Sequence, residues 1–278
     1  VRPDRLRFKD KWVPRRKPAG ERRVLFLGGS TTENADVGVR FTDLLEQRLT
    51  SRFRPTTVHC LNAGTAGYST AHSLVNFALR AIEADPDVVV LMHNVNDASV
   101  AEFGSEVAPD YGNKYKENFY LGYRHRTGLF NELLKVSRLA RHLAFRLDAV
   151  HYPAYQSLQP STTAESAEAL RLFDRNLRSL HGVAAAHHVV LVLMTEPARR
   201  RSRASAVYNA FNDRIRAVSS ELSTPLIDLA RSITAEDDFY DEIHYNQKGT
   251  HAVAAAIYPA LERELVALQR KGAGEAAP

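Results

Sequence analysis

The sequence contains a single cysteine, Cys60, among its 278 residues. One cysteine excludes an internal disulfide framework and any zinc cluster built on several cysteines. Eleven histidines are present but scattered, and the pair His187 and His188 has no carboxylate at the spacing of a metal site. The residues therefore predict no metal site and no cofactor.

Long apolar runs are also missing from the sequence. No stretch approaches the roughly 20 apolar residues that span a bilayer as a helix, and no signal-peptide pattern is present. The chain starts at Val1 rather than at methionine, so we expect a processed or trimmed form from which an anchor or a signal was removed. As given, the chain is predicted to be soluble.

Positive charge is concentrated at the start of the chain. The net charge is +5, but residues 1–23 carry ten Lys or Arg against three acids, a balance of +7, and the remaining residues sum to −2. We assign residues 1–22 to a basic N-terminal arm. Such a run is typically a solvated tail, and contact with an anionic membrane surface is the alternative. No RNA-binding signature or DNA-reading motif accompanies the charge, so no nucleic-acid partner is predicted.

Short apolar runs alternate with helical patterns along most of the chain. The runs cover residues 24–27, 57–61, 87–93, 189–194 and 225–229. Helical patterns follow them at residues 41–49, 74–82, 164–185, 207–221 and 250–267. This alternation predicts about five parallel strands covered on both faces by helices, a three-layer α/β/α sandwich. We predict one domain over residues 23–270 and a flexible tail over residues 271–278.

Residues 98–163 interrupt this pattern with tyrosine, glycine, proline and charged residues. A connection of this length is uncommon in a compact domain, so we predict an insertion, or lid, over the edge of the sheet that carries the site. Within it, residues 129–147 have helical periodicity. A helix packed on its own domain explains that pattern best, and a helix lying on a membrane or a partner is the alternative.

Polar residues and a glycine follow the predicted strands at their carboxyl ends, where open α/β sheets bind ligands. They are Ser30, Gly67, Asn96, Asp241 and His244. Taken alone, Ser30 is well explained as a helix cap. Taken together, the residues supply a serine nucleophile, a histidine base and an acid that orients it, with oxyanion donors in the backbone N–H groups of Ser30 and Gly67 and in the Asn96 amide.

The same residues lie in four blocks that resemble the SGNH or GDSL hydrolase superfamily. The blocks are GGST at 28–31, NAGTAG at 62–67, NVND at 94–97 and DEIH at 241–244. The resemblance implies a flavodoxin-like fold and hydrolysis of an acyl or acetyl ester through an acyl-enzyme on Ser30. It also implies that His244 and Asp241 complete the catalytic residues and that Ser30, Gly67 and Asn96 form the oxyanion hole.

Two residues depart from the pattern of that family. Gly29 stands where the family usually has an acid, and we expect this change to alter the turn more than the chemistry. Asn94 stands where the family has glycine, and asparagine tolerates the left-handed backbone region better than most residues. Beside these blocks, His93, Asn94 and Thr31 are the candidates for contact with the substrate.

The resemblance leaves the reaction partly open. An O-acyltransferase or O-acetyltransferase acting on a carbohydrate or similar hydroxyl would use the same residues, and a non-catalytic binding module would keep only the fold. We expect a small-molecule or glycan ester as the partner. The family has exported and cytoplasmic members, and the extracytoplasmic part of an exported or anchored bacterial protein is one interpretation.

Overall fold

The structure is a computed structural model that describes residues 4–9, 11–35, 37–100, 109–111, 137, 139, 163–199 and 205–275, without the side chains of 163–166, 205 and 272–275. The chain divides into two compact units, one of residues 1–98 and 170–278 and one of residues 99–169. The predicted insertion and its helix at 129–147 lie almost wholly outside the described residues. Their placement stays a prediction.

The described residues form seven β-strands. They are β1 (Arg5–Phe8), β2 (Lys11–Pro14), β3 (Glu21–Gly28), β4 (Thr57–Asn62), β5 (Val88–Met92), β6 (Val190–Met194) and β7 (Leu226–Ile227). The last five make one parallel sheet in the order β4-β3-β5-β6-β7. All five strands were predicted, and their order is the flavodoxin-like one.

The helices between these strands also follow the predicted pattern. They are α1 (Ser30–Glu33), α2 (Phe41–Arg52), α3 (Thr70–Leu79), α4 (Val95–Ala98), α5 (Thr163–Ala186), α6 (Ser205–Glu221), α7 (Leu229–Ser232) and α8 (Gln247–Glu275). The last helix runs beyond residue 267, so the tail predicted to be flexible begins inside it. Among the described helices, none combines the length and apolar character needed to cross a membrane.

The central sheet is buried on both faces. All five residues of β5 are at most 1% exposed, as expected for a strand that is apolar at every position. On one face, α2 and α8 contribute Phe41, Leu45, Ile257 and Leu261, each at most 1% exposed. Burying one such side chain stabilises a fold by about 1.5–3 kcal/mol. The buried sheet therefore holds the loops at its edge in defined positions.

The N-terminal segment is folded, so the expectation of a solvated tail is wrong for it. Strands β1 and β2 pair antiparallel as a hairpin, and Leu6, Phe8 and Val13 are buried. Its basic residues pair with acids of the sheet domain, in the ion pairs Lys9–Glu33, Lys11–Glu46, Arg15–Glu83 and Lys17–Asp87. These charges are thus used within the fold. Membrane contact through this segment stays a prediction.

The site lies where the strand order reverses. β4 pairs with one edge of β3 and β5 with the other, so the chain leaves the two neighbours β3 and β5 toward opposite sides of the sheet. Crevices form at such points in open α/β sheets. Ser30 directly follows β3, and Asn96 follows β5.

Candidate active site

Ser30 lies in the turn between β3 and α1. It is the first residue of α1, and Gly29 occupies the N-cap position without a side-chain cap. The Ser30 hydroxyl is instead hydrogen-bonded to the His244 imidazole, with 2.8 Å between Oγ and Nε2. The interpretation of this serine as a helix cap is therefore wrong.

His244 is held from its other side by Asp241. The distance from His244 Nδ1 to Asp241 Oδ2 is 2.7 Å. The second carboxylate oxygen, Oδ1, accepts the backbone N–H groups of Ile243 at 2.9 Å and His244 at 2.7 Å. The segment between β7 and α8 therefore turns tightly enough for an acid three residues before the histidine to reach its ring.

The Asp241 carboxyl stays ionised at neutral pH. Burial acts to raise its pKa, but the backbone N–H groups of His244 and Ile243 and the His244 imidazole donate to the carboxylate, and the net result is a lowered pKa. A carboxylate at this position favours the tautomer with the proton on Nδ1. Nε2 is then the acceptor that faces the Ser30 hydroxyl.

Gly67 directly precedes Tyr68 in the loop after β4, and Asn96 contacts Tyr68 from the turn after β5. Gly67 has a φ of +78°, a conformation that glycine adopts without strain. The Asn96 side chain donates from Nδ2 to the carbonyl of Tyr68, at 2.9 Å, and an amide nitrogen carries two N–H groups. The loop after β4 and the turn after β5 thus meet beside the nucleophile.

Gly29 makes room for Asn96. A Cβ at position 29 would lie 2.6 Å from Asn96 Nδ2 and 3.3 Å from the Tyr68 carbonyl oxygen. The backbone of Gly29, with φ −89° and ψ −151°, is open to other residues. The absence of a side chain at this position therefore allows the Asn96 amide to approach the nucleophile turn closely. The expectation that the change from an acid alters the turn more than the chemistry stays a prediction.

Replacing Gly29 with alanine is expected to displace the Asn96 amide, because the added Cβ would lie 2.6 Å from Asn96 Nδ2 and the amide has to shift. We predict a fall in kcat for ester hydrolysis of about tenfold, since a displaced oxyanion donor costs less than a deleted one. Steady-state kinetics on p-nitrophenyl acetate measures it. Gly182→Ala, in α5 with open space around the added Cβ, is the matched control, and equal kcat values for both variants would refute this role of Gly29.

His93 and Asn94 do not fit their predicted contact with substrate. They are 2% and 0% exposed, and their side chains bond inside the protein, His93 Nε2 to Ser73 Oγ and Asn94 Nδ2 to the Tyr208 carbonyl, both at 2.7 Å. Asn94 is also not among the residues with positive φ in the described chain. Both residues instead connect the start of the turn after β5 to the helices α3 and α6.

Glu196 is a residue of the site that the sequence reasoning missed. It follows β6, is 5% exposed, and accepts hydrogen bonds from the Thr31 hydroxyl at 2.5 Å and the Val95 backbone at 3.0 Å. Burial raises the pKa of its carboxyl, and these two bonds oppose that rise. Glu196 therefore ties the nucleophile turn to the turn after β5. The sequence did contain a signal for this residue, since an acid directly after a predicted strand and before Pro197 is placed at the edge that carries the site.

The cleft beside Ser30 is small and largely polar. The described residues that line it are Ser30, Thr31, Asn34, Ala35, Tyr240, His244 and Tyr245. Tyr240 is 47% exposed and its ring is stacked on the His244 imidazole, 5.6 Å away at 10°. Thr31, a predicted contact, lines this cleft, although its hydroxyl is bound to Glu196. No group of three or more metal-binding side chains occurs in the described part of the chain.

Solved structures that resemble this chain include two acetylxylan esterases and a lipase/acylhydrolase by name. An acetyl xylan esterase, AlAXEase, has 15% identity and a TM-score of 0.55, covering 86% of this chain and 98% of its own. Axe2, an acetylxylan esterase from Geobacillus stearothermophilus, has 13% identity and a TM-score of 0.54, covering 86% of this chain and 93% of its own. The lipase/acylhydrolase from Enterococcus faecalis has 18% identity and a TM-score of 0.52, covering 87% of this chain and 95% of its own. At these identities the likeness shows the fold alone.

The family of the chain follows from its sequence. No curated protein gave a significant match. A family model does match, over residues 26–252, which include all four blocks and the whole Ser30–His244–Asp241 arrangement. The chain belongs to the GDSL-like lipase/acylhydrolase family.

Proposed function

We propose that the protein is a serine hydrolase that cleaves a carboxylic ester through an acyl-enzyme on Ser30. The observation that carries this proposal is the hydrogen-bonded line from Ser30 Oγ to His244 Nε2 and from His244 Nδ1 to Asp241, with distances of 2.8 and 2.7 Å. Both distances are within the reach that nucleophile, base and orienting acid require.

The first half of the reaction forms the acyl-enzyme. Ser30 Oγ attacks the carbonyl carbon of the ester as His244 Nε2 takes the hydroxyl proton, and the Asp241 carboxylate stabilises the resulting imidazolium. The negative charge that develops on the carbonyl oxygen is met by the backbone N–H groups of Ser30 and Gly67 and by the Asn96 amide. His244 then gives its proton to the leaving alcohol.

The second half returns the enzyme to its starting state. A water molecule attacks the acyl carbon while His244 takes one of its protons, and the Ser30–acyl bond breaks with release of the acid. Ser30 Oγ regains the proton from His244. The net reaction consumes one ester and one water and yields one carboxylic acid and one alcohol.

A small acyl group suits the described cleft best. Its lining next to Ser30 consists of the polar side chains of Ser30, Thr31, Asn34 and His244, one alanine and the rings of Tyr240 and Tyr245, whereas a long acyl chain requires a continuous apolar groove. Two of the structures with this fold are acetylxylan esterases by name. We therefore propose an acetyl or similarly short acyl ester, with a carbohydrate as the preferred alcohol.

A panel of esters tests this function. We expect p-nitrophenyl acetate to be hydrolysed with a higher kcat/KM than the octanoate, and acetylated xylo-oligosaccharides to release acetate. A sugar acceptor without acyl groups is added in a parallel series. Transfer product in excess of free acetate would assign the acyltransferase instead, and no turnover with any ester would favour a non-catalytic module.

A further inference from the structure

Glu33 connects three parts of the protein near the nucleophile. It is the last residue of α1, and one carboxylate oxygen accepts the Lys9 ammonium at 2.5 Å while the other accepts the Ala66 backbone N–H at 2.7 Å. Lys9 belongs to the hairpin of β1 and β2, and Ala66 precedes Gly67. We call these two bonds the Glu33 bridge. It links the N-terminal hairpin to the loop that carries an oxyanion donor.

The loop of residues 63–68 depends on a few hydrogen bonds for its position. The Thr65 backbone donates to the Gly28 carbonyl at 3.1 Å, and the Tyr68 backbone donates to the Thr65 carbonyl at 3.0 Å. Between them, Ala66 is exposed and is anchored by Glu33. Without that anchor, water competes for the Ala66 N–H, and we expect the backbone of Gly67, the next residue, to shift with it.

Lys9 itself is held firmly enough to direct Glu33. It has a φ of +47° in the two-residue connection between β1 and β2, a backbone typical of tight hairpins. The Arg7 side chain donates to the Lys9 carbonyl at 3.0 Å, and the Phe8 ring, 2% exposed, lies under the Arg80 guanidinium. The Lys9 carbonyl is thus bonded to a residue of β1, and both members of the ion pair are about one-fifth exposed.

We propose that Lys9 is a positioning residue for the oxyanion hole, acting through Glu33 on the loop of Gly67. This inference rests on the proposed function. The N-terminal hairpin then contributes to catalysis, because the Lys9 ammonium, outside the four family blocks, helps to position the Gly67 backbone N–H that donates to the transition state. Such a residue affects the chemical step more than the binding of substrate.

The hairpin offers a matched control in Lys11. Its ammonium pairs with Glu46 at 2.7 Å, and the same Glu46 oxygen accepts the Cys60 backbone N–H at 2.7 Å. The two arrangements have the same chemistry, but the second contacts the middle of β4 rather than the oxyanion loop. Lys9→Met and Lys11→Met therefore remove equal charge and a similar ion pair.

The kinetic test measures kcat and KM for p-nitrophenyl acetate. We expect Lys9→Met to lower kcat about five- to tenfold with little change in KM, as expected for a shifted oxyanion donor. Lys9→Arg should restore most of kcat, and Lys11→Met should match the wild type. In the Glu33→Ala background, Lys9→Met should add no further loss, because the coupling passes through Glu33. Equal kcat values for Lys9→Met and Lys11→Met would overturn the proposal.

A second measurement is independent of catalysis. Amide hydrogen exchange of residues 63–68 should be faster in Lys9→Met than in Lys11→Met, at equal melting temperatures of the two variants. Unchanged exchange in this loop would overturn the proposal even if kcat fell. Absence of any Ser30-dependent turnover, with faster exchange in Lys9→Met, would instead reject the proposed function and leave the coupling of Lys9 to the loop established.

Discussion

Replacing Ser30 with alanine is expected to lower the rate of ester hydrolysis by about 10⁴-fold or more, because no other group can form the acyl-enzyme. The hydroxyl that is lost makes the 2.8 Å hydrogen bond to His244. Removing it leaves the oxyanion donors and the rest of the cleft in place. Initial rates on p-nitrophenyl acetate at neutral pH, after correction for the uncatalysed reaction, measure the effect.

The control for Ser30→Ala is the same substitution at an exposed serine in another part of the fold. Ser232 ends α7 and donates its hydroxyl to the Asp228 carbonyl at 3.0 Å, on the surface. We expect Ser232→Ala to keep wild-type activity, and both variants to keep the wild-type circular dichroism spectrum. Hydrolysis by Ser30→Ala within tenfold of the wild type would contradict the nucleophile assignment.

Replacing Asp241 with asparagine is expected to lower kcat by about 10³- to 10⁴-fold. The two backbone N–H groups of Ile243 and His244 donate to Oδ1, so the asparagine oxygen must stay at that position and its NH₂ group must face the imidazole. His244 Nδ1 then has to accept, and the proton moves to Nε2. That nitrogen can no longer take the proton of Ser30.

Asp237→Asn is the control for this substitution. Asp237 belongs to the same connection between β7 and α8, and its exposed carboxylate pairs with Lys248 at 2.7 Å rather than with the histidine. We expect nearly unchanged kcat in this variant. A loss in Asp241→Asn no larger than in Asp237→Asn would mean that the carboxylate does not set the tautomer of His244.

The strands and the edge that carries the site were predictable because they depend on local patterns. The apolar run of β5 leaves no polar face, so it had to lie in the middle of a parallel sheet. Once the runs are strands, topology brings their carboxyl ends together. The blocks around Ser30, Gly67 and His244 were recognised as parts of one site for that reason.

The N-terminal hairpin was not predicted, although its sequence contains a signal. In RLRF, arginines alternate with the apolar Leu6 and Phe8 as in a half-buried strand, whereas KWVP has a single charged residue before three apolar ones. The excess of positive charge obscured this alternation. Net charge describes how a segment interacts over distance, whereas the ion pairs Lys9–Glu33 and Lys11–Glu46 depend on acids that the chain supplies 24 and 35 residues later.

The direction of the side chains around the third block, residues 94–97, could not be predicted from the sequence. His93, Asn94 and Asn96 follow the same strand and are all buried. His93 and Asn94 bond to neighbouring helices, whereas Asn96 reaches the Tyr68 carbonyl. The direction depends on the turn geometry and on partners such as Ser73, which lies in another helix. Gly29 was singled out correctly as unusual, but its reason is the distance to Asn96, which only coordinates supply.

Covalent labelling tests whether Ser30 is an activated nucleophile. The protein is treated with a fluorophosphonate, digested, and the modified residue is located by mass spectrometry. We predict one phosphonylated site, Ser30, with labelling strongly slowed in His244→Ala and absent in Ser30→Ala. A label on another residue, or an unlabelled protein whose esterase activity survives the treatment, would contradict it.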